Sequence, residues 1–299
     1  MFTFSNKAAA DLADLIDYAY TLNSSATPGT YPLTLPKPVP AGYKIAAVAY
    51  ATDNIIIYEN TRYYAVVAES ADALVVAIRG TGDAVEWVLD FDFTLTPFSQ
   101  GEGKVETGFY SIFLSMRFID LNGNPFDLTT WLVSKLAANP QLALIVEGHS
   151  LGGALSSMLA VWLSGNAVLR KAMNAITIAS PAPGDGDFAA YYNGRIPATY
   201  RIWNPLDLVP HAPPESLGFV QLAGIGLRLA PTWQQMEQYD FLSPLCNHSL
   251  LTYQWLLDTG GHPLTECQWP LEGGVGARLR AAVDRVRGRA EKRGVGYGG

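Results

Sequence analysis

The sequence predicts an α/β fold, with a mostly parallel central sheet and helices on both faces. Three observations carry this expectation. Short apolar runs alternate with helical stretches from about residue 73 to residue 203. The runs at 73–79 (ALVVAIR) and 141–147 (QLALIVE) are almost wholly apolar, as strands buried on both faces must be. The first of them ends abruptly in Gly80-Thr81-Gly82, and the second runs straight into Gly148.

The first twenty residues place acids at Asp11, Asp14 and Asp17 among apolar neighbours and predict an amphipathic helix. Residues 27–43 are rich in proline and must be an extended loop, because proline blocks helix and ladder alike. Three β-rich runs follow at 54–58, 63–69 and 73–79, the first two joined by a turn at 59–62. Residues 107–119 and 128–139 predict helices, and 141–147 a buried strand. A small-residue helix over 154–165 and strands over 175–180 and 198–203 complete the pattern. No internal repeat or clean linker divides the chain, so one domain over residues 1–299 is expected.

Composition narrows the functional classes. A hydrophobic fraction of 49% with 16% charged residues describes a globular chain with a large core. No run approaches the roughly 18 apolar residues of a membrane-crossing helix. The N-terminus lacks a basic start and unbroken apolar stretch, which predicts a cytoplasmic or leaderless protein unless a leader has been removed. Cys246 and Cys267 are too few for a four-thiolate zinc site; a disulfide and two free thiols are both open, with free thiols at least as favoured. The net charge of −7 argues against nucleic acid as a partner. Residues 278–293 nevertheless hold seven Lys/Arg against two acids, and a basic helix is expected at about 277–293.

The stretch Gly148-His149-Ser150-Leu151-Gly152 carries the chemistry. A serine at the tip of a strand-to-helix turn has a strained backbone, and small residues two before and two after it let strand and helix approach. Gly148 and Gly152 meet that need, with a buried strand before them and a helix after. A serine hydroxyl needs a base to take its proton. His149 is adjacent, but neighbouring side chains diverge on a sharp elbow, so its expected role is structural: packing beneath the turn or bonding a nearby backbone group. Three other histidines are available: His211, His248 and His262. Asp207 follows the strand at 198–203, where such sheets place their acids; His211 lies too close to it in sequence. The reading is therefore Ser150, Asp207 and His248 in the order Ser…Asp…His, with His262 and Asp185 as the reserve base and acid.

With that order in place, the sequence resembles the class 3 (fungal-type) lipases of the α/β-hydrolase superfamily. The resemblance rests on GHSLGGAL, VVAIRGT, ETGFYSIF, ITIASPAPGDGDF, RIWNPLDLVPHAPP and HSLLTY, and spans about residues 63–256. It implies an α/β-hydrolase fold and an oxyanion hole made by the amides of Thr81 and Leu151. It also implies a lid over about 83–95, presenting Val85, Trp87, Val88 and Leu89 to substrate. Many family members carry a histidine where Glu106 stands here.

The implied activity is serine carboxylic-ester hydrolysis, with a triacylglycerol lipase as the first expectation. Alternatives are an esterase for short-chain or aromatic (feruloyl-type) esters, a phospholipase, or a catalytically silent lipase-like binding protein. The implied partners are an ester or lipid substrate and a transient lipid interface. No metal or organic cofactor is required by this chemistry.

Overall fold

The computed structural model describes residues 2–53, 60–82 and 93–269. Within them the chain runs through α1 (Asn6–Ser25), β1 (Lys44–Asp53), β2 (Asn60–Glu69), β3 (Ala73–Ile78), β4 (Leu95–Pro97), β5 (Lys104–Glu106) and α2 (Thr107–Ser115). Next come β6 (Arg117–Ile119), α3 (Leu128–Ala138), β7 (Ala143–His149), α4 (Leu151–Leu163), α5 (Ala167–Ala172), β8 (Met173–Ile178), β9 (Gly184–Asp185), α6 (Gly186–Arg195) and β10 (Thr199–Trp203). The remainder holds β11 (Phe219–Val220), β12 (Ile225–Arg228) and three short helices: α7 (Trp233–Met236), α8 (Pro244–His248) and α9 (Leu250–Leu257).

Eight strands form one sheet in the order β12-β10-β8-β7-β3-β2-β1-β6. The half from β12 to β3 is parallel, whereas β3, β2, β1 and β6 pair antiparallel. The sheet is therefore mixed, with its parallel half under the motifs singled out above. Along β7 the side chains alternate between two cores, as the two-residue period of a strand requires. Leu144 and Val146 join the cluster under α2, α3, α4, α5 and α6, while Ile145 joins the one under α1 and α9. Each such side chain taken fully from water contributes roughly 1.5–3 kcal/mol.

α1 begins where the Ser5 hydroxyl accepts the Ala8 N–H at 3.1 Å. Its face of Ala9, Leu12, Ala13, Ile16 and Ala19 is buried on the sheet. α9 packs beside it, and Gln254 ties the two helices by donating to Ala10 O at 3.1 Å and to Asp14 Oδ1 at 2.8 Å.

Several local expectations change. Residues 107–119 are not one helix: Met116 leaves it, and Arg117–Ile119 form β6 along the β1 edge, where tertiary pairing outweighs helical periodicity. β1, which follows the Pro-rich loop, is not legible in the sequence because KIAAVAYATD is rich in alanine, a poor strand former; it owes its conformation to pairing with β2. Residues 60–62 lie within β2 rather than in a turn, and the run at 54–58 lies outside the described residues. So do most of the expected lid, including Val85, Trp87, Val88 and Leu89, and the basic segment 277–293. No described helix is long and apolar enough to cross a membrane.

Glu147 in β7 is an anomaly within this core. It is fully buried on the α1 side, and neither carboxylate oxygen has a hydrogen-bond partner among the described residues. Burial, with repulsion from Asp14, pushes its pKa up to about 8 from an ordinary value of 4.5. The folded state thus binds a proton that the unfolded state releases above 4.5. Stability from this group is whole in acid, declines by up to about 1.4 kcal/mol per pH unit, and levels off above the folded pKa. Glu147→Gln should therefore match the parent in denaturant melts at pH 4.5 and exceed it by a margin that widens up to pH 8. A constant margin across that range would contradict this account.

Candidate active site

The turn at residues 148–152 is built by close backbone approach. A Cβ on Gly148 would lie 2.1 Å from Gly152 O, and one on Gly152 would lie 2.2 Å from Ile78 O. Any side chain at either position would therefore collide with main chain. Ser150 sits at φ 58°, a left-handed conformation that a residue with a side chain adopts at a cost of order 1–3 kcal/mol. Its N–H is anchored to Ile178 O at 2.9 Å, and its side chain makes no capping bond to α4. A serine capping this helix would do the opposite, so the hydroxyl is held out from the turn.

Asp207 follows β10 at the same pole of the sheet as Ser150, which follows β7. The carboxylate is fully buried and accepts from three donors. Oδ2 takes the His248 Nδ1–H at 2.8 Å and the Tyr253 hydroxyl at 2.9 Å, and Oδ1 takes the Val209 N–H at 3.0 Å. With its proton on Nδ1, His248 leaves Nε2 bare; that atom is buried and has no partner among the described residues. Unpaired buried nitrogens are costly, and accepting a proton from a nearby hydroxyl is the chemistry this one can perform. His149, next to Ser150, has its ring centroid 4.8 Å from that of His248, so the His248 ring lies against the elbow.

The loop after β3 brings Gly80 and Thr81 to the same place. Arg79 donates from Nε to Tyr63 O at 2.6 Å and from a terminal nitrogen to Gly80 O, while its guanidinium lies 4.3 Å from the Tyr64 ring centroid. Holding the Gly80 carbonyl fixes the plane of the Gly80–Thr81 peptide, and with it the direction of the Thr81 N–H. Leu151 opens α4, so its N–H has no carbonyl within the helix to bond. Burial keeps His149 neutral by driving its pKa well below the ordinary histidine value, and the adjacent His248 adds to this. It is not paired with the serine hydroxyl: its Nε2 bonds His248 O at 2.9 Å, and its Nδ1 meets the Tyr20 hydroxyl at 2.9 Å.

The reserve candidates are engaged elsewhere. Asp185 caps α6, accepting from Phe188 N at 2.9 Å and Lys104 N at 3.0 Å. His262 lies against the acids of α1, 3.4 Å from Asp14, with Asp258 3.7 Å from its other nitrogen. His211 sits edge-on to Trp203. Glu106 is buried at the start of α2, where Oε2 accepts the Phe109 N–H at 2.7 Å and burial raises its pKa.

Sequence reasoning missed one partner of Asp207 and left one cysteine pairing open. Tyr253 lies in α9, shortly beyond His248, and nothing in HSLLTYQWLL distinguishes an acid-binding tyrosine from a core one. Cys246 and Cys267, for which the sequence left a disulfide and free thiols both open, are joined in a disulfide with Cα atoms 5.4 Å apart. Cys246 lies in α8 just before His248. Cys267 lies on a segment bonded back to residue 240, through Asp240 N–H to Cys267 O at 2.8 Å. Folding alone brings these segments together, so cysteine spacing could not reveal the pairing. Closing a loop of this length contributes about 3 kcal/mol. Reduction, or the Cys246→Ser/Cys267→Ser pair of substitutions, should lower the unfolding free energy by about that amount in denaturant titration; an unchanged midpoint would count against it.

Residues 75–217 match the family model described as Lipase (class 3). Among curated relatives, a phospholipase A1-II 3 from Oryza sativa subsp. japonica is 29% identical over 224 residues, covering 64% of this chain and 50% of that protein. A secreted mono- and diacylglycerol lipase A from Penicillium cyclopium is 30% identical over 179 residues, covering 60% and 55%. The chain thus spans about half the length of the curated relatives it matches. Among solved structures, a Rhizomucor miehei lipase propeptide complex superposes with a TM-score of 0.57 at 24% identity, covering 75% of this chain and 66% of that one. A lipase from Rhizopus microsporus var. chinensis gives 0.54 at 24% identity, covering 72% and 71%. These likenesses establish the α/β-hydrolase fold.

Proposed function

From the match of residues 75–217 to the class 3 lipase model on an α/β-hydrolase sheet, we propose that this chain is a serine carboxylic-ester hydrolase acting on lipid esters. The observation that carries the proposal is the buried Asp207–His248 pair, with a bare Nε2, beside an elbow serine at φ 58°.

Ser150 attacks the ester carbonyl while His248 Nε2 takes its proton. Asp207 fixes the imidazole tautomer and stabilises the imidazolium that forms. The amides of Thr81 and Leu151 receive the negative oxygen of the tetrahedral intermediate. One such donor is worth about 2.7–4 kcal/mol of barrier. His248 then protonates the leaving alcohol, and water repeats the sequence on the acyl-enzyme to release the acid. Every proton taken is returned, so the cycle balances without a cofactor.

The substrate class is supported by the surroundings of the pair. Leu206 and Leu208, on either side of Asp207, are 38% and 44% exposed, and Leu242 and Leu245, shortly before His248, are 48% and 59% exposed. Large aliphatic side chains left in water next in sequence to the proposed acid and base favour an acyl chain or a lipid surface over a polar ester. The lid implied by the sequence resemblance would contribute further apolar side chains, Val85, Trp87, Val88 and Leu89. Triacylglycerol is the first substrate proposed. Phospholipid is the second, favoured by the phospholipase A1 name of the rice relative.

Ser150→Ala should abolish hydrolysis of a p-nitrophenyl ester in a folded protein, and Asp207→Asn should lower kcat by roughly 10⁴-fold through the wrong tautomer. Turnover persisting in the serine variant would refute the assignment. In a chain-length series, rates should climb with acyl length and rise further once emulsified triglyceride exceeds its solubility. A maximum at acetate with no such rise would instead identify a soluble esterase.

A further inference from the structure

We propose that Tyr20 and His149 are positioning residues that hold the oxyanion loop and the base in register across the nucleophile elbow. The proposal rests on the triad reading above and extends the functional unit to α1, outside the segment that matches the lipase family.

Three hydrogen bonds run in series. The Gly80 N–H donates to the Tyr20 hydroxyl oxygen at 2.9 Å, Tyr20 joins His149 Nδ1 at 2.9 Å, and His149 Nε2 joins His248 O at 2.9 Å. Chemistry fixes their direction. A carbonyl oxygen only accepts, so His149 Nε2 carries the hydrogen. A neutral imidazole then has Nδ1 bare, and that nitrogen can only accept from the Tyr20 hydroxyl. Burial keeps His149 neutral and raises the Tyr20 pKa to about 12, which is consistent with this arrangement. All three donors point the same way, from the loop after β3 toward the main chain of the base, so each bond polarises the next.

The ends of this path are the two elements whose separation sets the reaction. At one end, Gly80 is pressed into the elbow. A Cβ there would lie 2.6 Å from Ser150 Cβ, 2.7 Å from the Tyr20 oxygen and 2.8 Å from His149 O. Gly80 N–H is held by Tyr20 and Gly80 O by Arg79, so both peptides flanking the residue are oriented, including the one that carries the Thr81 N–H. At the other end, the His248 carbonyl is held by His149 while its side chain is held by Asp207. A displacement of about 1 Å between such groups costs on the order of 10²-fold in rate. A merely space-filling tyrosine would need no polar partner at either side of its oxygen; this one has two, on different elements.

The test compares Tyr20→Phe, His149→Gln and the double variant with the parent on a soluble p-nitrophenyl ester. Phenylalanine keeps the ring and removes the link; glutamine keeps an amide donor within reach of His248 O, but its acceptor, Oε1, lies one bond farther from the main chain than Nδ1 and is displaced from the Tyr20 hydroxyl. The expected result is a fall in kcat of about tenfold for Tyr20→Phe, with KM within twofold. The double variant should fall no further than the worse single one, because both break one path. A folded Tyr20→Phe whose kcat stays within twofold of the parent, or losses that multiply in the double variant, overturns the proposal. If the variants do not fold, nitrogen-15 spectra of the parent decide. They should show His149 at pH 7 as the neutral tautomer protonated on Nε2, and the Nδ1–H tautomer or an imidazolium overturns the path. Absence of ester hydrolysis by the parent would count against the preceding function alone, since the tautomer is read without substrate.

Discussion

The contact on which the rest of this structure depends is the meeting of three backbones at the elbow. β3, the β7–α4 turn and Gly80 come so close that Gly148 and Gly152 have no room for a side chain. That approach forces Ser150 to φ 58°, and the parallel ladders on either side of β7 hold the strain. Once the elbow is set, Leu151 must open the helix with no helical partner for its amide, and the β3 loop must lie beside the serine. The positions of the proposed nucleophile and of both proposed oxyanion amides thus follow from one steric condition.

A second constraint is polar. The sheet buries Asp207, His248, His149, Glu147 and Arg79 in a protein whose core is largely apolar. Asp207 is compensated three times over, and His149 is compensated at both nitrogens. His248 and Glu147 depart from this rule, and for different reasons. His248 Nε2 is bare because its partner is part of the reaction proposed for it. Glu147 has no partner among the described residues and no such role, and burial raises its pKa.

The legible parts of the fold were those dictated by local chemistry. Wholly apolar runs marked β3 and β7, and the glycine–serine turn marked the elbow, because such a backbone admits few other residues. The illegible parts were those where local preference lost to a distant partner. β1 is alanine-rich and exists through β2, and β6 interrupts a helical pattern because β1 offers it an edge. The site divides in the same way. Ser150 announces itself within the span of one turn. Tyr253 and Tyr20 look like any buried tyrosine until folding sets their oxygens on Asp207 and His149.

The sequence by itself determined the parallel strand–turn–helix units and marked Ser150, Asp207 and His248 as the proposed triad, since each reading depends on residue type and chain order. Only the tertiary structure decided what each polar group bonds. The Cys246–Cys267 link, the second partner of Asp207, and the path from Gly80 through Tyr20 to His248 join residues from 21 to 129 positions apart. Hydrogen bonds and disulfides act over a few ångströms, and only the packing of α1, α8, α9 and the segment around Cys267 brings those atoms within that range.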